Sequence, residues 1–489
     1  VKPMMGHQPE TQQKLFYTCL NLEKRIRKDH ILRKVDSLID FDFVYKEVEN
    51  LYGSNGNVSV PPPVLLKLML LLILYNVRSE RELMQTVPER LDWLWFLGYD
   101  LDDEIPGHSV LSKARARWGI QAFKTFFERI VWQCVEAGLI DGSKIFTDAS
   151  LIQADASNNS VVNQDLLKRY LNKSYCELEK RLDDEHDSDF KKGKANRKYI
   201  STTDPDASVV RMGPGRSRLR YKTHRVVDEQ SEIITATDVT PGEINEAQLL
   251  TDLIEQHETN TGKTIKAAVA DSKYGTIDNY LSCCDRDIIP HFESFDKGHK
   301  GFGTRKGIFS PNEFKYDPEK DCFICPAGEI LKLRKFIAHR KHYEYWISSK
   351  ICKKCDLKHK CTRSNYGRTV KRHIRQNDLD NMLAISESRQ AKKDIAKRQH
   401  LMERSYARSK RYGYKRARWR RLWRVQIQEY LTSTIQNIMV LVKNFKEHDR
   451  AAITLPHPRP KRPLYGTIFS QILLLLRGHG LILRTLNHY

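Results

Sequence analysis

Two aspartates follow apolar segments that read as β-strands. Asp148 ends the segment 144–148, Lys-Ile-Phe-Thr-Asp, and Asp271 ends the segment 267–271, Ala-Ala-Val-Ala-Asp. Ligands of α/β sheets gather at the carboxyl ends of the strands. Mg²⁺ is an oxygen-seeking cation that can hold two such carboxylates while leaving positions for phosphate and water. Taken singly, each aspartate is better explained as a turn residue, because Asp is common where strands end. A metal site therefore needs a further carboxylate.

A third carboxylate, Glu403, opens a strongly basic segment. Residues 403–424 contain ten Lys and Arg residues and no other acid. Glu403 and Lys410 are seven residues apart, so on a helix they project within about 20° of each other. One helix face would then carry a metal ligand and a lysine that binds phosphate. The alternative is a solvated glutamate that pairs with neighbouring arginines.

Five cysteines share the close spacing of zinc ligands: Cys322, Cys325, Cys352, Cys355 and Cys361. Two Cys-x2-Cys pairs can supply four thiolates to a tetrahedral Zn²⁺. The 26 residues between Cys325 and Cys352 exceed the roughly 15–20 of a zinc ribbon. Cys361 could replace Cys355, and His359 is another possible ligand. We predict a structural zinc from the first four cysteines rather than free thiols.

The charge of the chain points to a polyanionic partner. The 489 residues carry a formal net charge of +22, with 40% hydrophobic residues, which is typical of a folded protein that binds nucleic acid. The candidate phosphate contacts are Lys113, Arg115, Arg117, Lys410, Arg416, Arg418, Arg420 and Arg421. The first three follow the turn at Pro106-Gly107 on a predicted basic helix, for which ordinary helix packing is an equally good interpretation.

We expect no membrane partner, because the longest apolar run, 64–75, contains Lys67 and is shorter than the ~20 residues of a span. A cytoplasmic location follows.

Sequence texture divides the chain into five parts. Residues 1–137 read as helical. Residues 138–300 contain predicted strands alternating with helices, which is typical of an α/β sheet; the strands are 144–150, 220–228, 232–239, 264–271 and 287–293. A cysteine-rich insertion, 301–375, interrupts this pattern, long helices return over 376–447, and 448–489 is a Pro-rich linker and tail to which we assign no role.

A series of motifs resembles the Asp-Asp-Glu (DDE) transposases of bacterial insertion sequences. In chain order the motifs are TDAS (147–150), TTDPDA (202–207), YKTHRVVD (221–228), TATDVTPGEINEA (235–247), VADSKYGT (269–276) and ERSYARSKRYGYKRARW (403–419). The helical N-terminal part is similar to the N-terminal domain of that group. The resemblance covers roughly residues 40–445.

The resemblance implies a ribonuclease H-like mixed sheet with flanking helices, preceded by a helical DNA-binding domain and interrupted by the zinc-ribbon-like insertion. It implies Asp148, Asp271 and Glu403 as the ligands of two Mg²⁺ or Mn²⁺ ions, and it matches Lys410 to the lysine of the family signature.

The chain departs from that signature just before Glu403. The signature has an Arg four residues before the glutamate and a Tyr three residues earlier. Gln399 and Ala396 stand at those positions, with Arg398 one step out of register. Four nearby acids rival Asp148: Asp141, Asp155, Asp204 and Asp206. We retain Asp148 because its strand context and the TDAS motif match best.

The resemblance implies a DNA transposase. Such an enzyme binds the terminal inverted repeats of its element, cleaves phosphodiesters at the ends and joins them to target DNA, as at least a homodimer in the active complex and in association with the bacterial nucleoid. Two alternatives remain open: a ribonuclease H-like nuclease without strand transfer, and a catalytically decayed zinc-ribbon DNA-binding protein or repressor.

Overall fold

The computed structural model describes most of the chain. The described residues are Asn196 and the ranges 21–53, 59–163, 198–211, 213–293 and 307–444. They fall within one compact unit, residues 1–444. The predicted linker and tail, 448–489, lie outside the described residues. The mixture of helices and sheets expected from the sequence is confirmed.

Short helices make up the N-terminal part. They are α1 (Leu22–Arg25), α2 (Ile31–Leu38), α3 (Phe43–Val48), α4 (Pro62–Leu74), α5 (Glu80–Thr86), α6 (Leu91–Leu97), α7 (Ser109–Trp118) and α8 (Gln121–Glu136). Helix α4 has almost no polar face, so it must be buried on all sides. Pro62 and Pro63 begin it, where a missing N–H costs no helical hydrogen bond. Its one charged residue, Lys67, extends to Asp36 (2.7 Å). Among the described residues, no helix is long and apolar enough to cross a membrane.

The main sheet has six strands. They are β1 (Lys144–Gln153), β4 (Ser208–Val210), β5 (Arg218–Asp228), β6 (Ile234–Pro241), β7 (Ala267–Ala270) and β8 (Ile289–Phe292). The strand order is β4-β5-β1-β7-β8, and β6 also pairs with β5. Strands β1, β7 and β8 are parallel, whereas β5 is antiparallel to β1, β4 and β6. A separate hairpin joins β2 (Val161–Asn163) to β3 (Tyr199–Ser201).

Two helices that connect successive strands of this sheet in the chain pack against it. Helix α9 (Leu250–Thr261) packs on β6, and α10 (Ile277–Asp285) packs on β8. Their apolar sides join strand residues in one buried cluster.

The expectation that Asp148 ends its strand is wrong. Strand β1 continues for five residues beyond Asp148, to Gln153, because its antiparallel partner β5 runs alongside it as far as Arg220. Only the parallel partner β7 stops here, immediately before Asp271. Asp148 therefore lies at the point where one neighbouring strand ends and the other continues.

A second, antiparallel sheet lies in the predicted cysteine-rich region. Its strands are β9 (Lys315–Asp317), β10 (Cys322–Ile324), β11 (Ile330–Ile337), β12 (His342–Trp346) and β13 (Thr369–His373), in the order β13-β12-β11-β10-β9. Two very short helices, α11 (Ser349–Lys353) and α12 (Lys358–Cys361), connect β12 to β13. Seven buried residues form the core of this sheet: Phe314, Phe323, Leu331, Tyr345, Ile347, Cys352 and Val370.

Three helices complete the unit: α13 (Gln376–Ser386), α14 (Arg389–Arg411) and α15 (Leu422–Asn444). Helix α14 crosses β1, β7 and β8. Helix α15 packs on β6 and also against α8, α4 and α2. It therefore joins the sheet to the N-terminal helices, and most of its residues are buried.

The basic segment that begins at Glu403 spans the end of one helix, a loop and the start of the next helix. Helix α14 ends at Arg411, and residues 412–421 form a loop before α15. Gly413 adopts φ +78°, and a Cβ at this position would collide with the Asn76 side chain. The left-handed conformation favours glycine, so the chain turns here and runs beside β1, where the Ala417 N–H donates to the Gln153 carbonyl (2.7 Å).

Two acids of the TTDPDA motif fix the end of this loop. The Asp204 carboxylate accepts hydrogen bonds from the Tyr221 hydroxyl (2.6 Å) and the Arg421 N–H (3.0 Å). The Asp206 carboxylate accepts from the Leu422 N–H (2.9 Å), which satisfies a free donor at the start of α15. Burial raises the pKa of Asp204 to about 7, and its second oxygen has no hydrogen-bond partner that would stabilise the charged form.

We predict that Asp204 makes the free energy of unfolding depend on pH. The folded chain keeps a proton on Asp204 from about pH 3.8, its ordinary pKa, up to about pH 7, whereas the unfolded chain does not. The contribution of Asp204 to stability therefore falls as pH rises through this window, by up to about 1.4 kcal/mol per pH unit. Asp204→Asn should remove that loss while keeping the acceptor. Urea unfolding of both proteins between pH 4 and 8 measures the difference; parallel curves would contradict the assignment.

Candidate active site

Asp148 and Asp271 lie side by side on neighbouring parallel strands. The register of β1 and β7 pairs Lys144 with Ala267 and Phe146 with Val269. The same register, continued by two residues, sets Asp271 beside Asp148, on strands about 4.8 Å apart. The acids that the sequence singled out are thus brought together by the strand pairing alone.

The Asp148 carboxylate is partly buried, with 27% of its side chain exposed, and it carries an ion pair. Burial raises its pKa, the Arg398 guanidinium lowers it and the charge of Asp271 raises it again. Arg398 donates to Asp148 Oδ2 at 2.8 Å, with 11% of the Arg398 side chain exposed. Two adjacent carboxylates in such surroundings need a neighbouring positive charge, and Arg398 supplies one. Arg398, which stands one residue away from the position of the arginine in the family signature, is therefore the arginine that reaches the site.

Helix α14 crosses the sheet face at Asp148. The Tyr406 hydroxyl donates to the main-chain oxygens of Asp148 (2.9 Å) and Thr223 (3.3 Å). Glu403 lies between Arg398 and Tyr406 along this helix. Its side chain is exposed and accepts a hydrogen bond from Gln399 at 3.2 Å.

Asp148, Asp271 and Glu403 do not come together as a metal site in this structure. In the part of the chain that is described, no group of three or more His, Cys, Asp or Glu side chains is arranged to hold a metal ion. The donor chemistry does fit Mg²⁺, since all three candidate ligands are carboxylates. Asp148 and Asp271 meet, and Glu403 lies on the helix packed over them.

A buried ion pair that the sequence analysis missed lies next to Asp148. Arg225 stands directly opposite Asp148 on β5, so both side chains lie on the same sheet face. Its guanidinium donates to Glu429 of α15 at 2.6 and 2.9 Å and to Ser409 of α14 at 2.6 Å. Thr237 also donates to Glu429, at 2.6 Å. The sequence indication was an arginine directly before the apolar Val226-Val227 of the strand motif YKTHRVVD.

A second missed group lies beyond Asp271. Glu246, from the motif GEINEA, accepts hydrogen bonds from Lys222 (2.6 Å) and Lys273 (2.5 Å). Burial opposes the charge of Glu246, but these lysines outweigh it and lower its pKa. Lys273 is 65% exposed. Although burial opposes its charge, the contact with Glu246 raises its pKa, and the charges of Asp271 and Asp148 raise it further. A solvent-accessible cation thus borders the aspartate pair.

The rival acids have other partners. Asp155 pairs with Arg416 (2.8 Å) and Arg420 (3.3 Å), while Asp204 and Asp206 bind the loop before α15. Asp141 binds Ser143 ahead of β1. These contacts give each rival a local structural role.

The candidate phosphate contacts divide into exposed and buried residues. Lys113 and Arg117 on α7 and Lys410 on α14 are exposed. Arg115 is buried, pairs with Glu80 (2.5 Å) and lies over the Trp419 ring.

The four arginines of the 412–421 loop are all engaged by the protein. Arg416 and Arg420 pair with Asp155, Arg418 donates to Asn76 (2.6 Å) and Arg421 pairs with Asp206 (3.5 Å). About half of the Arg416 and Arg420 side chains remain exposed, against 10% for Arg421. The turn at Gly413 explains this arrangement, because it folds the basic segment back onto β1.

The cysteines are distributed differently from the predicted set. Cys325, Cys352, Cys355 and Cys361 line one pocket, and Cys322 is not among its lining residues. Burial raises the pKa of Cys361, and the other three cysteines of the pocket raise it further, against the effect of Arg368.

Two segments of the chain match known protein families. Residues 20–117 match a family described as a transposase domain (DUF772), and residues 324–442 match a family described as a transposase DDE domain. The second segment includes Glu403, and Asp148 and Asp271 lie outside both. No curated protein and no solved structure matches the chain.

We predict that Glu429→Gln destabilises the fold by about 3–5 kcal/mol, because it leaves Arg225 charged and without its buried counter-ion. The matched control is Glu232→Gln. Glu232 pairs with Arg404 and Arg408, which are 55% and 37% exposed, so its loss should cost less than about 1 kcal/mol. Chemical unfolding measures both, and equal effects would show that the buried pair has no special weight.

Proposed function

Because the chain belongs to the DDE transposases of insertion sequences, we propose that it cleaves DNA at the ends of its element and joins those ends to target DNA. The observation that carries this proposal is the pairing of Asp148 with Asp271 under the helix that bears Glu403.

The sheet supports a ribonuclease H-like core. Its antiparallel strands β6, β5 and β1 are followed across the sheet by the parallel strands β7 and β8. The two aspartates occupy adjacent central strands, β1 and the end of β7. Such an edge, with carboxylates where a strand ends, is where α/β sheets bind ligands.

Asp148, Asp271 and Glu403 are the residues that would hold two Mg²⁺ or Mn²⁺ ions. When bound, these ions activate water or a DNA 3′-hydroxyl and stabilise the leaving oxygen of the phosphodiester. The protein's own part is positioning. The hydrogen bond from Tyr406 to the main chain of Asp148 holds α14 against the sheet. This contact fixes the distance between the sheet and the helix position that carries Glu403. Arg398 balances the charge of Asp148, and Lys273 borders the pair as a cation available to phosphate.

We infer that the partner is double-stranded DNA, both as the terminal inverted repeats and as the target. We also infer at least a homodimer in the active complex, because two ends are processed together. The net charge of +22 and the exposed basic residues of α7 and α14 favour a DNA surface. A nucleoid-associated cytoplasmic location follows from this substrate.

We expect Asp148→Asn, Asp271→Asn and Glu403→Gln each to abolish cleavage of labelled duplexes that carry the element's inverted repeats. Each change replaces a proposed metal-binding carboxylate by a neutral amide and leaves the basic surface intact. Binding to the same duplex should therefore persist. Asp141→Asn, an acid bound to Ser143 ahead of β1, is the matched control and should keep wild-type activity.

The outcomes separate the candidate functions. Near wild-type cleavage by any of the three variants would remove that residue from the triad. Cleavage by the wild type without joining of ends indicates a nuclease, and binding without cleavage indicates a DNA-binding protein or repressor.

We predict that Lys113→Gln, Arg117→Gln and Lys410→Gln, combined, weaken binding to any duplex regardless of sequence. These side chains are exposed, and each lost phosphate contact should reduce the log–log salt dependence by about 0.9. Titrations at several salt concentrations measure the slope. An unchanged slope would place the DNA on another face.

A further inference from the structure

Four cysteines converge on one pocket from three separate parts of the chain. Cys325 follows β10, Cys352 lies in α11, Cys355 follows that helix and Cys361 ends α12. The pocket walls between them are apolar and include Phe309, Ile347, Ile351 and Leu357. The described part of the chain contains no disulfide at any of these positions, and all four cysteines are free thiols.

Tight turns present the thiols from both sides of the pocket. On one side, the Gly328 N–H donates to the Cys325 carbonyl (2.8 Å) and the Cys325 N–H to the Glu329 carbonyl (2.9 Å). Gly328 has φ +83°, which an L-residue adopts only with strain. On the other side, the Cys355 N–H donates to the Cys352 carbonyl at 3.4 Å. The segments at Cys325 and at Cys352–Cys355 thus both form turns beside the pocket.

The surrounding fold has little else to stabilise it. Helices α11 and α12 have five and four residues, far fewer than the ~12 that an isolated helix needs. The core of this sheet has seven buried side chains, with Phe309, Tyr316, Cys325 and Cys361 partly buried against it, and small cores often gain stability from a metal or a disulfide. A cross-link between the cysteines would therefore stabilise the segment between β12 and β13.

We propose that Cys325, Cys352, Cys355 and Cys361 bind one structural Zn²⁺, which cross-links β10 to the α11–α12 segment. Four thiolates in one pocket match the tetrahedral coordination of structural zinc. The thiols are not drawn together at ligand spacing in this structure, so binding requires side-chain movement within the pocket. Each ligand thiol loses its proton to solvent as the Zn–S bond forms.

Cys322 is outside this ligand set, although the sequence spacing favoured it. It pairs with Asp317 and Lys332 within the sheet, and its neighbour Phe323 enters the core. Alternate residues of a strand point to opposite faces, so Cys322 points away from the core that Phe323 joins. The Cys-x2-Cys pattern at 322–325 is on this account a coincidence of spacing, whereas the pattern at 352–355 is a zinc knuckle.

The test is metal analysis of the purified full-length protein and its variants. We expect one zinc per chain in the wild type, and loss of at least nine-tenths of it in Cys352→Ser, Cys355→Ser and Cys361→Ser. Cys322→Ser is the matched control, because Cys322 lies in the same region and is buried like Cys352, and this variant should retain stoichiometric zinc. Cys284→Ser, outside the cysteine-rich region, controls for loss of a thiol as such.

X-ray absorption at the zinc edge of the wild type keeps the proposal testable if a variant fails to fold. Four sulfur neighbours at about 2.3 Å are expected. Absence of zinc, iron in its place, fewer than four sulfur ligands, or loss of zinc in Cys322→Ser would each overturn the assignment. None of these results bears on Asp148, Asp271 or Glu403, so the catalytic proposal stands or falls separately.

Discussion

The buried ion pair between Arg225 and Glu429 is the contact on which the arrangement of the site depends. Both side chains are fully buried, and two charges withdrawn from water are tolerable only when each is completely hydrogen-bonded. The Glu429 carboxylate accepts hydrogen bonds from Arg225, Thr237 and Ser433, so β5, β6 and α15 meet at one carboxylate. Arg225 also reaches Ser409, which brings in α14. Four elements are therefore fixed directly beside Asp148.

Charge balance explains why the two aspartates can be neighbours at all. Strand pairing sets Asp271 beside Asp148 regardless of their repulsion, and burial of Asp148 increases its energetic cost. Arg398 offsets that charge from the helix above, and Lys273 offsets it from the turn after β7.

Most main-sheet strands were predictable because they are short segments rich in β-branched, aromatic and other apolar residues next to polar turns. The predicted segment 264–271 contains the whole of β7 and 220–228 covers most of β5, whereas the short strand β4 was not predicted. Contacts between distant parts of the chain were not predictable. Nothing local marks Arg225 as the partner of a glutamate 204 residues away, or shows that Asp155 neutralises Arg416 and Arg420. Composition therefore suggested a DNA surface in the 412–421 loop, where the structure has internal pairing.

The arrangement of the cysteines was predictable only in part, for a similar reason. Spacing alone treats 322–325 and 352–355 as equivalent. Strand alternation separates Cys322 from the pocket, and the turn at Cys361 brings a thiol from outside both pairs.

The position of α15 has a consequence for how the chain is made. This helix packs against α2, α4 and α8 as well as β6, yet it is synthesised after all of them. At the usual rate of about 5–20 residues per second, Arg225 waits roughly 10–40 s for Glu429 to emerge from the ribosome. During that interval the apolar helix α4 lacks one of its covering surfaces. The ion pair beside Asp148 therefore forms only after α15 is made, and helices α2, α4 and α8 complete their contacts with α15 only then.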